Sequence, residues 1–293
     1  MIRSIGVIGA GSMGSRMARR VRAAGFDLTI CDPNPDVQAT FRSEGVPIAT
    51  HPGALTDTDA VIVLVASDAQ IDDVLFGDNG LVNGSTTGRR PLVAIMSTTL
   101  PETVRTVAER LAEHDFRTVD APVSGGPVGA ENGTLTILAA GRDADLDRID
   151  PVFRAMGRNI FRCGALGAGQ TVKLVNNFIA ITNIYAVNEA YSLAEAAGID
   201  LDVLGPILEV STGRTFLSED IGKARRQYAT WAADRAAFDA TTAITNKDMT
   251  LVAKLAAASN LEFPALSEVL KLTADRSDEV FRRWQEIGRG RQK

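Results

Sequence analysis

The residues best suited to chemistry fall in a few short stretches. Gly9-Ala10-Gly11-Ser12-Met13-Gly14 reads G-x-G-x-x-G, and Asp32 stands 21 residues after Gly11. Ser124-Gly125-Gly126 closes the segment DAPVSGG, which begins at Asp120. Lys173 and Asn177 are four apart in GAGQTVKLVNN, so a helix there presents both on one face. A glycine pattern alone is weak, but this one follows a strand-like run, Ile5–Ile8, and opens a helix-like one, Ser15–Ala24. In that setting Gly9 permits the tight turn, Gly11 lets the backbone approach a pyrophosphate, and Gly14 lets helix and strand pack closely. The helix N-terminus offers its unpaired N–H groups to phosphate oxygens. Asp32, at the end of the second strand-like run, is placed to accept hydrogen bonds from ribose hydroxyls. A 2′-phosphate there would be repelled and no Arg follows, so NAD is expected in preference to NADP. The alternative for Asp32 is a turn or cap residue ahead of Pro33.

The other stretches extend that chemistry. Ser124-Gly125-Gly126 offers a hydroxyl and two unobstructed N–H groups after a proline-stiffened loop, which suits a carboxylate; a plain turn is the competing explanation. Lys173 could be an ordinary surface charge. It follows a glycine-rich segment at an expected interdomain cleft, among apolar Val172, Leu174, Val175 and Phe178. Burial there would lower its pKa toward about 7–8, where a lysine exchanges protons at working pH. Of the two histidines, His51 precedes a proline and His114 ends a helix-like run, so neither suggests an acid or base. Val65-Ala66 and Ser97-Thr98 end two strand-like runs, where small or hydroxyl side chains could admit a nicotinamide ribose or merely form turns.

The elements that must position these residues change character near the middle. Up to about residue 165, apolar β-prone runs (Ile5–Ile8, Leu28–Cys31, Ala60–Val65, Leu92–Met96, Phe116–Val119, Leu135–Ala139, Asn159–Arg162) alternate with helix-like segments. That alternation predicts a parallel sheet with helices on both faces. Gly77–Arg90 reads as loop apart from Leu81-Val82. Gln170–Ala197 then runs 28 residues without Gly or Pro, a helix of roughly 42 Å. Further helices are expected at Leu201–Ser211, Ser218–Lys223, Ala240–Ser259, Pro264–Arg276 and Ser277–Gln285, ahead of a basic GRGRQK tail. The expected fold class is α/β: a Rossmann-type domain over 1–165, then an all-helical domain over 166–293 that begins with a long interdomain helix.

Composition narrows the partners. A net charge of −5 argues against nucleic acid, and no apolar run is long enough to cross a membrane. Met1 leads directly into a strand-like run, so a cytoplasmic location is the expectation. Cys31 and Cys163 are far apart and no His/Cys cluster exists, so no metal is expected.

Taken together the sequence resembles the β-hydroxyacid dehydrogenase family, which includes 3-hydroxyisobutyrate dehydrogenase and tartronate semialdehyde reductase. IGVIGAGSMG (5–14), DAPVSGG (120–126), GAGQTVKLVNN (167–177) and NKDMTLVAKLA (246–256), in that order, carry the resemblance. It implies that Lys173 is the general acid/base and that Asn177 helps hold the substrate. Ser124, Gly125 and Gly126 would bind the substrate carboxylate, and Val65, Ala66 and Thr98 would contact the nicotinamide side. Lys247, by residue type alone a surface charge, would lie near the cofactor. It also implies a homodimer or homotetramer. Val65-Ala66 departs from the Leu-Pro or Leu-Ala common in relatives. The Ala237-Phe238-Asp239-Ala240 stretch lacks the usual Gly-Phe and basic residue, which affects substrate choice. The expected activity is NAD-dependent oxidation or reduction of a small 3-hydroxy acid. Imine reductases, which usually carry Asp or Tyr at the lysine position, and non-catalytic NAD-binding relatives, which lack the lysine, are the rivals.

Overall fold

Val61-Ile62-Val63 and Val93-Ala94-Ile95 are apolar at every position, the pattern of strands covered on both faces. In the computed structural model, which describes residues 2–85 and 90–290, these runs are central strands of a sheet. The part of the expected loop at 86–89 and the tail at 291–293 lie outside the described residues. The chain divides into two compact units, Met1–Lys173 and Leu174–Lys293.

The first unit holds strands β1 (Ser4–Ile8), β2 (Asp27–Cys31), β3 (Ala60–Val63), β4 (Leu92–Ile95), β5 (Arg117–Asp120), β6 (Val123–Ser124), β7 (Leu135–Ala140) and β8 (Gly157–Gly164). Its helices are α1 (Ser12–Ala23), α2 (Pro35–Ser43), α3 (Asp68–Phe76), α4 (Pro101–Ala112), α5 (Gly126–Asn132) and α6 (Asp143–Met156), and α7 (Ala168–Ala196) begins here. The strand order is β2-β1-β3-β4-β5-β7-β6, with β8 also paired to β7. Alternate strand residues feed two cores. Ile5, Val7, Ile30, Ile62 and Ala94 pack with Met17 and Val21 of α1 and Ile149 and Phe153 of α6. Ile8, Val61, Val63, Val93 and Ile95 pack with Ile71 and Leu75 of α3 and Val104 and Leu111 of α4. β1 to β5 pair in parallel, as does β7 with β8. β7 runs antiparallel to β5 and β6, and β8 runs parallel to β7, so the parallel sheet inferred from the sequence has two reversed strands, β7 and β8, toward one edge. β6 and α5 were not visible as elements, because a two-residue strand and a seven-residue helix interrupted by Pro127 and Gly129 carry no periodicity.

The second unit is helical: the remainder of α7, then α8 (Leu201–Glu209), α9 (Ile221–Trp231), α10 (Arg235–Ala258), α11 (Pro264–Ala274) and α12 (Asp278–Arg289). The helix expected at Ser218–Lys223 starts instead at Ile221. Asp220 caps it by accepting from the Lys223 N–H, while Ser218 is consumed in a turn with Thr215. An aromatic cluster forms the core here: Phe238 and Tyr228 stand edge-on to Trp284 at 5.3 and 5.6 Å. Phe238 is fully buried in that cluster. Among the described residues no helix is long and apolar enough to cross a membrane.

Candidate active site

The glycine loop between β1 and α1 separates packing demands from open space. Gly9 takes φ +88°, and a Cβ there would stand 2.3 Å from the Leu64 carbonyl oxygen. A Cβ on Gly14 would stand 2.0 Å from the Gly9 carbonyl oxygen. Gly11 differs: its φ is −66° and a Cβ would meet nothing within 4 Å. Neither conformation nor protein packing explains a glycine at 11. It caps α1 without any side-chain hydrogen bond, so the first-turn N–H groups of α1 are uncapped beside that open space. This is the surface a pyrophosphate needs, and the residues present fit an NAD-type dinucleotide. Gly14→Ala is therefore expected to lower stability by about 3 kcal/mol, seen as a drop in denaturation midpoint. Gly11→Ala should leave the midpoint unchanged while weakening NAD binding by roughly tenfold or more in a titration.

Asp32 follows β2 directly, beside the loop. Its Oδ2 accepts from the Ala10 N–H at 2.7 Å and its Oδ1 from the Asn34 N–H at 2.9 Å. Turn-forming and loop-bracing roles thus coexist in one carboxylate, which keeps lone pairs for further donors. Cys31 beside it is buried, and burial first, then the Asp32 charge, pushes its thiol up to about 11, which makes it inert.

Because β1, β3, β4 and β5 are parallel, their carboxyl ends lie along one edge. Along that edge come Gly9–Gly11, Val65-Ala66, Ser97-Thr98 and Asp120–Gly126. Ser97 Oγ joins two of them, accepting from the Val65 N–H and donating to the Val65 carbonyl, each at 2.8 Å. Val65 and Thr98 are half-buried and Ala66 is exposed. Ser124, half-buried, pairs with Thr136 in the β6–β7 register. Gly125 and Gly126 both take positive φ, +128° and +61°, and a Cβ on Gly126 would meet nothing within 4 Å.

The start of α7 is tied to the same edge. Gly167 has φ +92°, and its carbonyl accepts from the Thr171 N–H, so it occupies the N-cap with no side chain to offer. The carboxylate of Asp120, last residue of β5, takes that place: Oδ2 accepts from the Gln170 N–H at 3.0 Å and Oδ1 from Gln170 Nε2 at 2.9 Å. Gln170 Nε2 also donates to the Ser97 carbonyl, and Gln170 Oε1 accepts from the Thr99 N–H, each at 3.0 Å. Both side chains are fully buried. Lys173 follows three residues later, half-buried. Of its apolar neighbours only Leu174 is buried, whereas Val172 and Val175 are exposed, so those valines do not supply the desolvation expected from the sequence.

Burial raises the Asp120 carboxyl from 3.8 to about 6, while its hydrogen bonds from Gln170, Gly167 and Gly169 pull it down. With the folded-state value raised, its contribution to stability is full below the unfolded value and is lost as pH rises through about 6. The swing is about 3 kcal/mol. Asp120→Asn should flatten the stability profile between about pH 4 and pH 7 relative to the parent, which denaturation midpoints across that range would reveal.

In the second unit a carboxylate that the sequence analysis passed over organises two of the expected residues. Asp248 of α10 is buried; its Oδ2 accepts from Asn177 Nδ2 at 2.7 Å and its Oδ1 lies 3.0 Å from Lys247 Nζ. The signal was there: Thr245, Asp248 and Val252 continue the buried face of α10, where an unpaired carboxylate would be costly. Gln170 was likewise missed, since a glutamine in a first helical turn resembles any surface residue.

Comparison with known proteins identifies the family. Residues 4–164 match the family model for the NAD binding domain of 6-phosphogluconate dehydrogenase. Residues 167–284 match that for the NAD-binding part of NADP-dependent 3-hydroxyisobutyrate dehydrogenase. L-threonate dehydrogenase of Escherichia coli K12 is 33% identical over 94% of this chain and 89% of its own. The chain belongs to the β-hydroxyacid dehydrogenase family. As a member it is a nicotinamide-dependent oxidoreductase. The 3-hydroxyisobutyrate dehydrogenase of Drosophila melanogaster is 32% identical over 89% of this chain and 80% of its own. A crystal structure of 3-hydroxyisobutyrate dehydrogenase from Salmonella typhimurium superposes with a TM-score of 0.77 at 31% identity, covering 93% of each chain. An imine reductase from a Pseudomonas species shares the fold at a TM-score of 0.64 and 20% identity, a more distant relation within this fold.

Proposed function

We propose that this β-hydroxyacid dehydrogenase oxidises, and in reverse forms, a small 3-hydroxy acid with NAD, with Lys173 as the general acid/base. Residues 1–165 serve as the dinucleotide-binding domain and 166–293 as the substrate and oligomerisation domain. Gly9, Ala10, Gly11, Ser12, Met13, Gly14 and Asp32 hold the pyrophosphate and ribose, with Val65, Ala66, Thr98 and Lys247 toward the nicotinamide. When bound, the nicotinamide supplies the two-electron acceptor or donor for the carbinol carbon. Ser124 with the backbone of Gly125 and Gly126 binds the substrate carboxylate. Lys173, neutral at Nζ, takes the hydroxyl proton during oxidation and returns it during reduction. Asn177, held by Asp248, steadies the substrate hydroxyl.

The observation that carries this reading is the tether between Lys173's helix and the sheet edge. The first turn of α7 is hydrogen-bonded to the carboxyl ends of β4 and β5, the edge where dinucleotides lie in folds of this kind. Exposed Leu193, Val203, Ile207 and Val210 in the helical unit support a homodimer or homotetramer; the cytoplasm is the compartment we assign. A charged carboxylate bound by hydrogen bonds gains roughly 1.5–3 kcal/mol over a neutral group. The methyl ester of an accepted acid should therefore lose about 10–100-fold in kcat/KM. Equal turnover of acid and ester would remove the carboxylate role.

A further inference from the structure

We infer that the buried pair Asp120–Gln170 is a positioning latch, which sets the first turn of α7 against the ends of β4 and β5 and so fixes where Lys173 presents its amine. The inference rests on the assignment of Lys173 as the proton carrier.

The residues of the latch are specified beyond what a helix start needs. Gln170 uses both amide donors and its carbonyl oxygen within one cluster: Nε2 to the Ser97 carbonyl and to Asp120, Oε1 to the Thr99 N–H. That consumes the end of β4, the end of β5 and the first turn of α7 at one point. Gly169, one residue earlier, makes room: a Cβ there would stand 2.3 Å from the Leu138 carbonyl oxygen and 2.9 Å from Asp120 Oδ2. A helix could be capped by a local Ser, Thr, Asp or Asn at its N-cap. Here that position is Gly167, and the cap comes instead from a strand 50 residues away in sequence. A local cap would stabilise α7 without saying where it begins relative to the sheet. A carboxylate on β5 does both. Lys173 lies in the next turn of a continuous helix, so its Cα follows the latch as a rigid body. The carboxylate is also kept where burial disfavours its charge, the pattern expected when a group is retained for placement rather than stability. Its titratable neighbour on β8 is Cys163, whose thiol is raised by burial first and by the Asp120 charge second.

The test is Gln170→Glu, alone and combined with Asp120→Asn, with Lys173→Ala measured alongside. Glutamate keeps the acceptor facing the Thr99 N–H but turns the second oxygen onto Asp120 Oδ1 and the Ser97 carbonyl, acceptor against acceptor. At about pH 8 the single variant should lose at least about tenfold in kcat while its NAD dissociation constant, read by nucleotide titration, stays within about twofold. On acidification a proton can be shared between the two carboxyls, so the ratio of variant to wild-type kcat should rise. In the double variant the donor and acceptor are exchanged: the new asparagine amide donates to the new carboxylate, and kcat should recover at least about threefold over Gln170→Glu, without the pH-dependent ratio. A purely structural role would lower the melting temperature and leave these three readouts unmoved. Wild-type kcat in Gln170→Glu, a ratio flat with pH, or a double variant no better than the single would overturn the latch. Substantial turnover in Lys173→Ala would instead remove the reading on which it rests. Loss in Lys173→Ala with wild-type kcat in Gln170→Glu would remove the latch alone.

Discussion

Lys173→Ala is expected to lower kcat by about 10²–10⁴-fold, the range a positioned acid/base contributes, with the NAD dissociation constant nearly unchanged. The separation follows from the fold. Lys173 sits in α7, three residues after the Gln170 tether, while the proposed phosphate cradle is the β1–α1 loop and the uncapped start of α1. Removing the amine leaves the glycine loop and Asp32 intact. Of the two histidines, His51 precedes Pro52 at the start of a short 3-10 turn, and His114 follows the end of α4, whose opposite end, Pro101, is the one that follows the Ser97-Thr98-Thr99 segment. Lys173→Arg places there a guanidinium that cannot release its proton at working pH, so it should resemble the alanine variant rather than wild type. Near-wild-type turnover in Lys173→Ala, measured by nucleotide absorbance with an accepted acid, would end the assignment.

The second large effect concerns the choice of nucleotide. NAD should exceed NADP by roughly 100-fold in kcat/KM, because a 2′-phosphate would be brought against the Asp32 carboxylate, where like charges a few ångströms apart cost about 2–4 kcal/mol. The helical part of the chain matches a model named for an NADP-dependent enzyme, so this preference rests on the residue after β2 and not on family membership. Asp32 also accepts from the Ala10 N–H, and an alanine there would disturb the loop as well as the charge. Asp32→Asn is the cleaner change, since its carbonyl oxygen can still accept from Ala10. It should narrow the ratio chiefly by improving kcat/KM for NADP, measured with both nucleotides at one substrate concentration.

How much of this was legible in the sequence follows from what each feature depends on. The parallel half of the sheet was readable because Ala60–Val63 and Leu92–Ile95 are apolar on both faces. The glycine loop was readable because Gly9 and Gly14 answer local steric demands that only glycine meets. The long helix was readable from the absence of Gly and Pro, and its observed span, Ala168–Ala196, differs by one or two residues at each end. The reversal at β7 was not, because strand direction is set by tertiary pairing and leaves no local pattern. Asp120–Gln170 and Asn177–Asp248 were not, because each pair joins residues 50 or 71 positions apart, and neither glutamine nor aspartate on a helix announces burial. The same limit explains Phe238, whose place in the aromatic core depends on Trp284 and Phe281 from α12.

The central claim is that this chain turns over a short 3-hydroxy acid and does not merely bind its nucleotide. The most direct measurement is NAD reduction by the purified protein across 3-hydroxyisobutyrate, glycerate, serine, 3-hydroxypropionate and threonate, with NAD binding titrated on the same preparation. Saturable NADH formation with at least one of these acids, lowered about 100-fold or more in Lys173→Ala, is the predicted result. Tight NAD binding with no turnover of any of them would contradict the account and point to a nucleotide-binding protein without catalysis.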